Sequence, residues 1–168
     1  MKEVPIAYGI NNFRLNGTDI LIIRAELPSE VAGHGDIYTV MYKQEEKWNL
    51  VQYPNHTFNT SAWPHTEEDA VSTAAFFATE KTGNGLEMLY LLRINRAFED
   101  SIADRGIATF ELHKVQKNNE LGFFEFQKID HLKTEIKYGN IDCALKDELG
   151  ISLSYKASSN SRCVERTP

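Results

Sequence analysis

Few residues of this chain have the types and spacing that chemistry needs. His34 stands between Gly33 and Gly35, with Asp36 two positions on. The flanking glycines permit backbone angles closed to other residues, and an acid at that spacing can orient an imidazole as a base. The plainer reading, and the favoured one, is a turn made by its glycines with His34 packed or solvated. A second concentration is Arg93, Arg96, Glu99, Asp100, Asp104 and Arg105. An exposed arginine there would clamp a ligand carboxylate through its planar fork of donors. The plainer alternative is a solvated salt-bridge cluster on a loop, each pair contributing little.

The sequence lacks the local signatures of catalysis. No serine has a lysine three positions later, as serine β-lactamases and penicillin-binding proteins require. Lys81-Thr82-Gly83 matches the third motif of that set but stands alone in a polar hairpin. His34, His56, His65, His113 and His131 are isolated along the chain, which disfavours a zinc centre. There is no Gly-x-Ser-x-Gly elbow, phosphate loop, dinucleotide fingerprint or His-Glu-x-x-His helix. Constellations can assemble from distant positions, so these absences lower the prior for an enzyme without excluding one. The expectation is no catalytic residue, no metal and no cofactor.

The elements that must position these residues are mostly strands. At 168 residues the chain suits one domain, 1–168, able to bury roughly two thirds of its unfolded surface. A formal charge of −6 with scattered Lys and Arg argues against nucleic acid. The apolar runs Ile20-Leu21-Ile22-Ile23 and Phe76-Phe77 are too short to insert in a membrane. Ile6 to Leu15 and Asp19 to Leu27 read as a hairpin through Asn16-Gly17, and Asp36 to Tyr42 with Trp48 to Tyr53 as another. Asn55 to Pro64 is a polar loop or short edge strand. Residues 66 to 80 fit either a helix capped at Thr66-Glu67-Glu68-Asp69 or, preferably, a strand paired with Leu86 to Asn95. Ile107 to Val115 and Leu121 to Ile129 form the clearest hairpin. Asn140 to Leu149 has helical spacing, with Ile141, Leu145 and Leu149 on one face and Gly150 suited to its end. The aromatics Tyr38, Tyr42, Trp48, Phe110, Phe123, Phe124 and Phe126 read as core. The fold class expected is mainly β, an antiparallel β-sandwich with a short C-terminal helix and a polar tail over 150–168.

Cys143 and Cys163 are the only cysteines. A bond between them would close a loop of about twenty residues, contribute about 3 kcal/mol by restricting the unfolded chain, and pin the tail. Two free thiols are the equal alternative. Met1-Lys2-Glu3-Val4-Pro5 lacks the apolar core of a secretory signal. The chain reads either as cytosolic or as a mature exported protein whose signal was replaced by an initiator Met.

Several segments, taken in order, resemble the carbapenem intrinsic-resistance family of CarG-like proteins. They are Gly33-His34-Gly35-Asp36-Ile37-Tyr38-Thr39-Val40-Met41-Tyr42, Trp48-Asn49-Leu50-Val51, and Leu89-Tyr90-Leu91-Leu92-Arg93-Ile94-Asn95-Arg96 running into Phe98 to Asp104. Ala108-Thr109-Phe110-Glu111-Leu112 follows, and the last is Ile141 to Gly150. The similarity spans roughly residues 19 to 151, and its order and spacing carry it. Tyr138-Gly139-Asn140-Ile141 departs from the "Y-C-D-V" of relatives, so no cysteine pairing transfers from them.

The resemblance implies a periplasmic, non-hydrolytic protein that gives resistance to a carbapenem β-lactam by binding the drug or shielding a cell-wall target protein. An oxidising periplasm would favour the Cys143–Cys163 bond. A bound β-lactam carboxylate would need a cation, for which Arg24, Arg93 and Arg96 are the candidates, with His34, Asp36 and Asp104 beside them. The alternative is a periplasmic protein-binding inhibitor or immunity-type module. A homodimer is compatible with either, and an enzyme using His34 with Asp36 or Asp104 is the third reading.

Overall fold

A computed structural model describes residues 1–27, 35–53, 59–62, 71–81, 85–101 and 104–154. Ten strands and one helix follow in chain order: β1 (Lys2–Val4), β2 (Gly9–Leu15), β3 (Thr18–Leu27), β4 (Gly35–Gln44), β5 (Lys47–Leu50), β6 (Asn59–Ala62), β7 (Ser72–Lys81), β8 (Gly85–Arg96), β9 (Gly106–Lys117), β10 (Phe124–Tyr138) and α1 (Ile141–Leu149). The protein is mainly β, as its alternating pattern predicts. Its layers are not separate sheets, however. They belong to one mixed ten-stranded sheet running β1-β7-β8-β2-β3-β4-β5, with β9 joining β8 to β10 and β6 on β4. The strand ladders are antiparallel except where β2 meets β8 at Leu15 and Leu86. A parallel bridge between Gln52 and Glu125 ties the other end of the β2–β5 layer to β10.

Local chemistry sets the turns. Asn16 and Gly17 both adopt positive φ, 47° and 87°, which the twist of a tight hairpin demands. Gly106 has a different reason to be glycine, since a Cβ there would sit 1.5 Å from the Ala97 carbonyl oxygen. Asn140 caps α1 by accepting a hydrogen bond from the Asp142 amide at 2.8 Å. Gly150 ends it in the left-handed region at φ 66°.

Two cores share the β7–β10 layer. On one face Phe76, Leu89, Leu91, Val115 and Phe126 pack with Ile20, Ile22, Tyr38, Val40 and Tyr42 of the β2–β5 layer. On the other, Ala75, Phe77, Leu92, Ile94 and Phe110 lie with Ile141, Ala144 and Leu145 of α1. Burial on both faces makes Ser72 to Ala78 continuously buried. Such a strand loses its alternation and mimics a helix in sequence. This explains the ambiguity of residues 66 to 80, of which 72–80 are strand and 66–70 lie outside the described residues.

Three expectations are corrected. The last hairpin strand runs to Tyr138 rather than Ile129, with register shifts between Lys128 and Asp130 and between Lys133 and Lys137. Its middle is exposed on both faces, so no hydrophobic alternation marks it. Leu149 is 38% exposed while Ile141 and Leu145 are buried, and Trp48 is 41% exposed at its hairpin rather than in the core.

Candidate functional site

The register of the strands sorts the candidate residues into three groups. Arg24 lies opposite Tyr38 across β3 and β4, and Asp36 opposite Glu26. Arg24 and Asp36 are therefore diagonal neighbours on one face. The guanidinium donates to Asp36 Oδ2 at 2.8 Å and to the Ile6 carbonyl at 2.9 Å. The Tyr8 hydroxyl donates to Asp36 Oδ1 at 2.8 Å, and the Tyr38 hydroxyl lies 3.5 Å from Oδ2. Arg24 Cζ sits 4.2 Å from the Tyr8 ring centroid and 5.8 Å from that of Tyr38. Asp36 is wholly buried.

Burial would lower the Arg24 guanidinium, but Asp36 and Tyr38 hold it above its ordinary value. Burial and the bond to Asp36 push the Tyr8 phenol up. A buried, multiply bonded pair of this kind fixes the Ile6–Tyr8 segment to β3 and β4. Breaking it would strand a charge.

Arg93 belongs to a second group. It faces Glu111 across β8 and β9, and Lys128 faces His113 across β9 and β10. Glu111 and His113, two apart on a strand, share a face. Glu111 thus has Lys128 Nζ at 3.4 Å, Arg93 Nη1 at 3.6 Å and His113 Nε2 at 3.6 Å around it. Arg93 Cζ lies 5.3 Å from the Tyr53 ring centroid, and the same ring packs on His113 at 5.4 Å and Phe126 at 4.9 Å. Burial alone would raise the Glu111 carboxyl, but Lys128, His113 and Arg93 hold it below its ordinary value. Burial lowers the His113 imidazole and outweighs the pull of Glu111, so the ring is neutral near pH 7. The residue is 1% exposed; Nε2 has only the long approach of Glu111 at 3.6 Å, and Nδ1 has no hydrogen-bond partner among the described residues. An unsatisfied buried polar group of this kind costs about 1–3 kcal/mol. It calls for an explanation of its own.

The third group is the β8–β9 connection. Arg96 is 2% exposed and donates to the Asp104 backbone carbonyl. Asp104 Oδ2 accepts from the amides of Ser101 and Asp100 at 2.8 and 3.0 Å. Those backbone bonds hold its carboxyl below the ordinary value. This is the architecture of a loop tied to its own ends, and Glu99 pairs outward with Lys137 at 3.6 Å.

The sequence puts His34, Asp36, Arg24, Arg93, Arg96 and Asp104 in one undivided candidate set, and the structure divides it, with Arg24 on Asp36 and Arg96 on the Asp104 backbone carbonyl. It separates Arg93 from both and gives it Glu111, His113, Lys128 and Tyr53, which the sequence had not singled out as a site. His34 lies outside the described residues. So does the expected pairing of Cys143 with Cys163, because Cys163 does; Cys143 is buried on the inner face of α1. Among the described residues no three His, Cys, Asp or Glu side chains gather into a set that could hold a metal. Among them, too, no helix is long and apolar enough to cross a membrane.

The class these features define is a mixed-sheet β fold with a helix on the outer face of one layer. No protein-family model and no curated protein matches the chain. Among solved structures, the crystal structure of CarG is similar to it. The TM-score is 0.67 at 14% identity, over 88% of this chain and 95% of that one. At that identity the likeness speaks for the fold. The protein has a CarG-like fold.

Proposed function

We propose that this chain is a non-enzymatic resistance protein of the periplasm, which protects against a carbapenem β-lactam by binding the drug. The observation that carries the reading is the likeness of the fold to that of CarG. The fold is similar to that of CarG over most of both chains. The segments that resemble the CarG-like family supply β4, β5, β8, β9 and α1. The geometry adds a division of labour. Asp36 and Arg24 are engaged with each other and with Tyr8 inside the fold, an arrangement suited to holding strands together. Arg93 is stacked on a ring and partly exposed, an arrangement suited to meeting a ligand anion.

Reversible sequestration protects while drug stays below protein concentration, so the protein acts in stoichiometric amounts. Purified protein mixed with excess carbapenem should leave the ultraviolet absorbance of the lactam ring unchanged, while titration calorimetry on the same sample gives saturable binding. Ring loss beyond one equivalent would make the protein an enzyme and end this reading. For export, the expected companion is a Cys143–Cys163 bond in protein recovered from the periplasm. Mass spectrometry without reduction should find the two cysteine peptides joined.

A second reading, a protein-binding module that shields a cell-wall target or inhibits an enzyme, is favoured by exposed apolar side chains along one strand. The later part of β10 exposes Ile129, Leu132 and Ile136 at 47, 40 and 42%. Calorimetric binding to a purified penicillin-binding protein, with no binding of drug, would select it.

A further inference from the structure

A tight, buried ion pair and a looser, partly exposed one differ in what they can still bind. Glu111 holds Arg93 and Lys128 at separations of 3.6 and 3.4 Å, whereas Arg24 and Asp36 close to 2.8 Å. The Arg93 guanidinium makes no hydrogen bond to any described residue, being held instead by the Tyr53 ring and the field of Glu111. With His113 neutral, two cations face one carboxylate, leaving one positive charge in excess in a chain of net charge −6. The Arg93 and Glu111 side chains are 29% and 23% exposed, so that charge is only partly screened by water. Beside it His113 is buried, its Nδ1 without a hydrogen-bond partner among the described residues.

We propose that Arg93 and Lys128, gathered on Glu111 and backed by the buried Tyr53 and His113, form a binding site for the carboxylate of a small organic ligand. A planar guanidinium whose donors are free matches the two oxygens of a carboxylate. One excess charge suits a monoanion, and a dianion beside Glu111 would be repelled. The buried Tyr53 ring backs the Arg93 guanidinium, whose side chain stays 29% exposed toward the ligand. The site deepens the drug-binding reading by placing the carboxylate. It rests on that reading only for the ligand's identity.

Calorimetric titrations with benzoate and with a carbapenem, on wild type and Arg93→Gln, test it. Carbon–proton spectra of the His113 ring in the wild-type protein are recorded alongside. Both ligands should bind, with affinity falling about tenfold to hundredfold in Arg93→Gln and the His113 ring signals shifting at saturation. Arg93→Lys keeps the charge and loses the fork. It should show a smaller loss, and it serves if the Gln variant fails to fold. Benzoate binding that depends on Arg93, without carbapenem binding, would uphold the site and remove the drug. Carbapenem binding unchanged by either variant, with a still His113 ring, would overturn the site and spare the drug-binding reading. No binding of either ligand would overturn both.

Discussion

Two arginines on the same sheet show how similar sequence symbols become different machines. Arg24 sits with an acid two positions into the next strand, and Arg93 faces an acid across a strand pair. The first has its partner wholly buried, two tyrosine hydroxyls at that partner, and a backbone carbonyl to occupy a second donor. The second has a partly buried partner shared with Lys128 and His113 at longer separations. Low dielectric makes the first pair strong only while complete. Solvent and shared charge leave the second loosely determined and able to exchange a partner. The difference lies in how many donors and acceptors the neighbouring strands supply, which residue identity alone does not reveal.

That contrast breaks if the two regions respond alike to substitution. Asp36→Ala leaves the Arg24 guanidinium buried without its anion and should cost about 3–5 kcal/mol in urea unfolding at pH 7. A loss below about 1 kcal/mol would place Arg24 in the same loose class as Arg93.

The next effect is on pH. The folded His113 pKa lies below its ordinary 6.5, so the unfolded chain takes up the proton first. Stability is full above about pH 6.5 and declines as pH falls through it, at a limiting slope of about 1.4 kcal/mol per pH unit. Glu111, held low in the fold, adds its own loss only further down, as pH falls from its ordinary value of 4.5 through its lower folded value. His113→Phe should flatten the limb between pH 6.5 and 5 in a series of unfolding curves. An unchanged limb would show that His113 is not the group responsible.

Smaller still, Tyr8→Phe removes one of the bonds to Asp36 and should lower the unfolding free energy by about 1–2 kcal/mol. Arg93→Gln touches a pair that water already weakens. It should change stability by less than about 1 kcal/mol in the absence of ligand.

Much of the fold was legible because hairpin turns and alternation are local. Asn16-Gly17 announced its turn, Ile20 and Ile22 alternated inward with Tyr38, Val40 and Tyr42 beyond, and Asn140 and Gly150 bounded the helix. The length of β10 was not legible, since its bulges interrupt the pleat where both faces meet water. The Arg24–Asp36 pair was within reach of sequence as two members of one set. Tyr8 entered only through packing of the Ile6–Tyr8 segment. The Arg93 group was hidden for a different reason. Glu111 and His113 share a face by their spacing of two, a signal that was present. Lys128 and Tyr53 arrive only by cross-strand register and by closure of the sheet through Gln52 and Glu125. An isolated histidine in sequence became the buried centre of a charged group.

The division between a building arginine and a binding one is tested most directly by thermal unfolding of wild type and Arg93→Gln, each with and without a saturating carbapenem. A ligand at one hundred times its dissociation constant stabilises the native state by about 2.7 kcal/mol. Wild type should show a raised midpoint and Arg93→Gln, at the same drug concentration, a shift of about half that or less. Equal shifts in the two proteins would contradict that division.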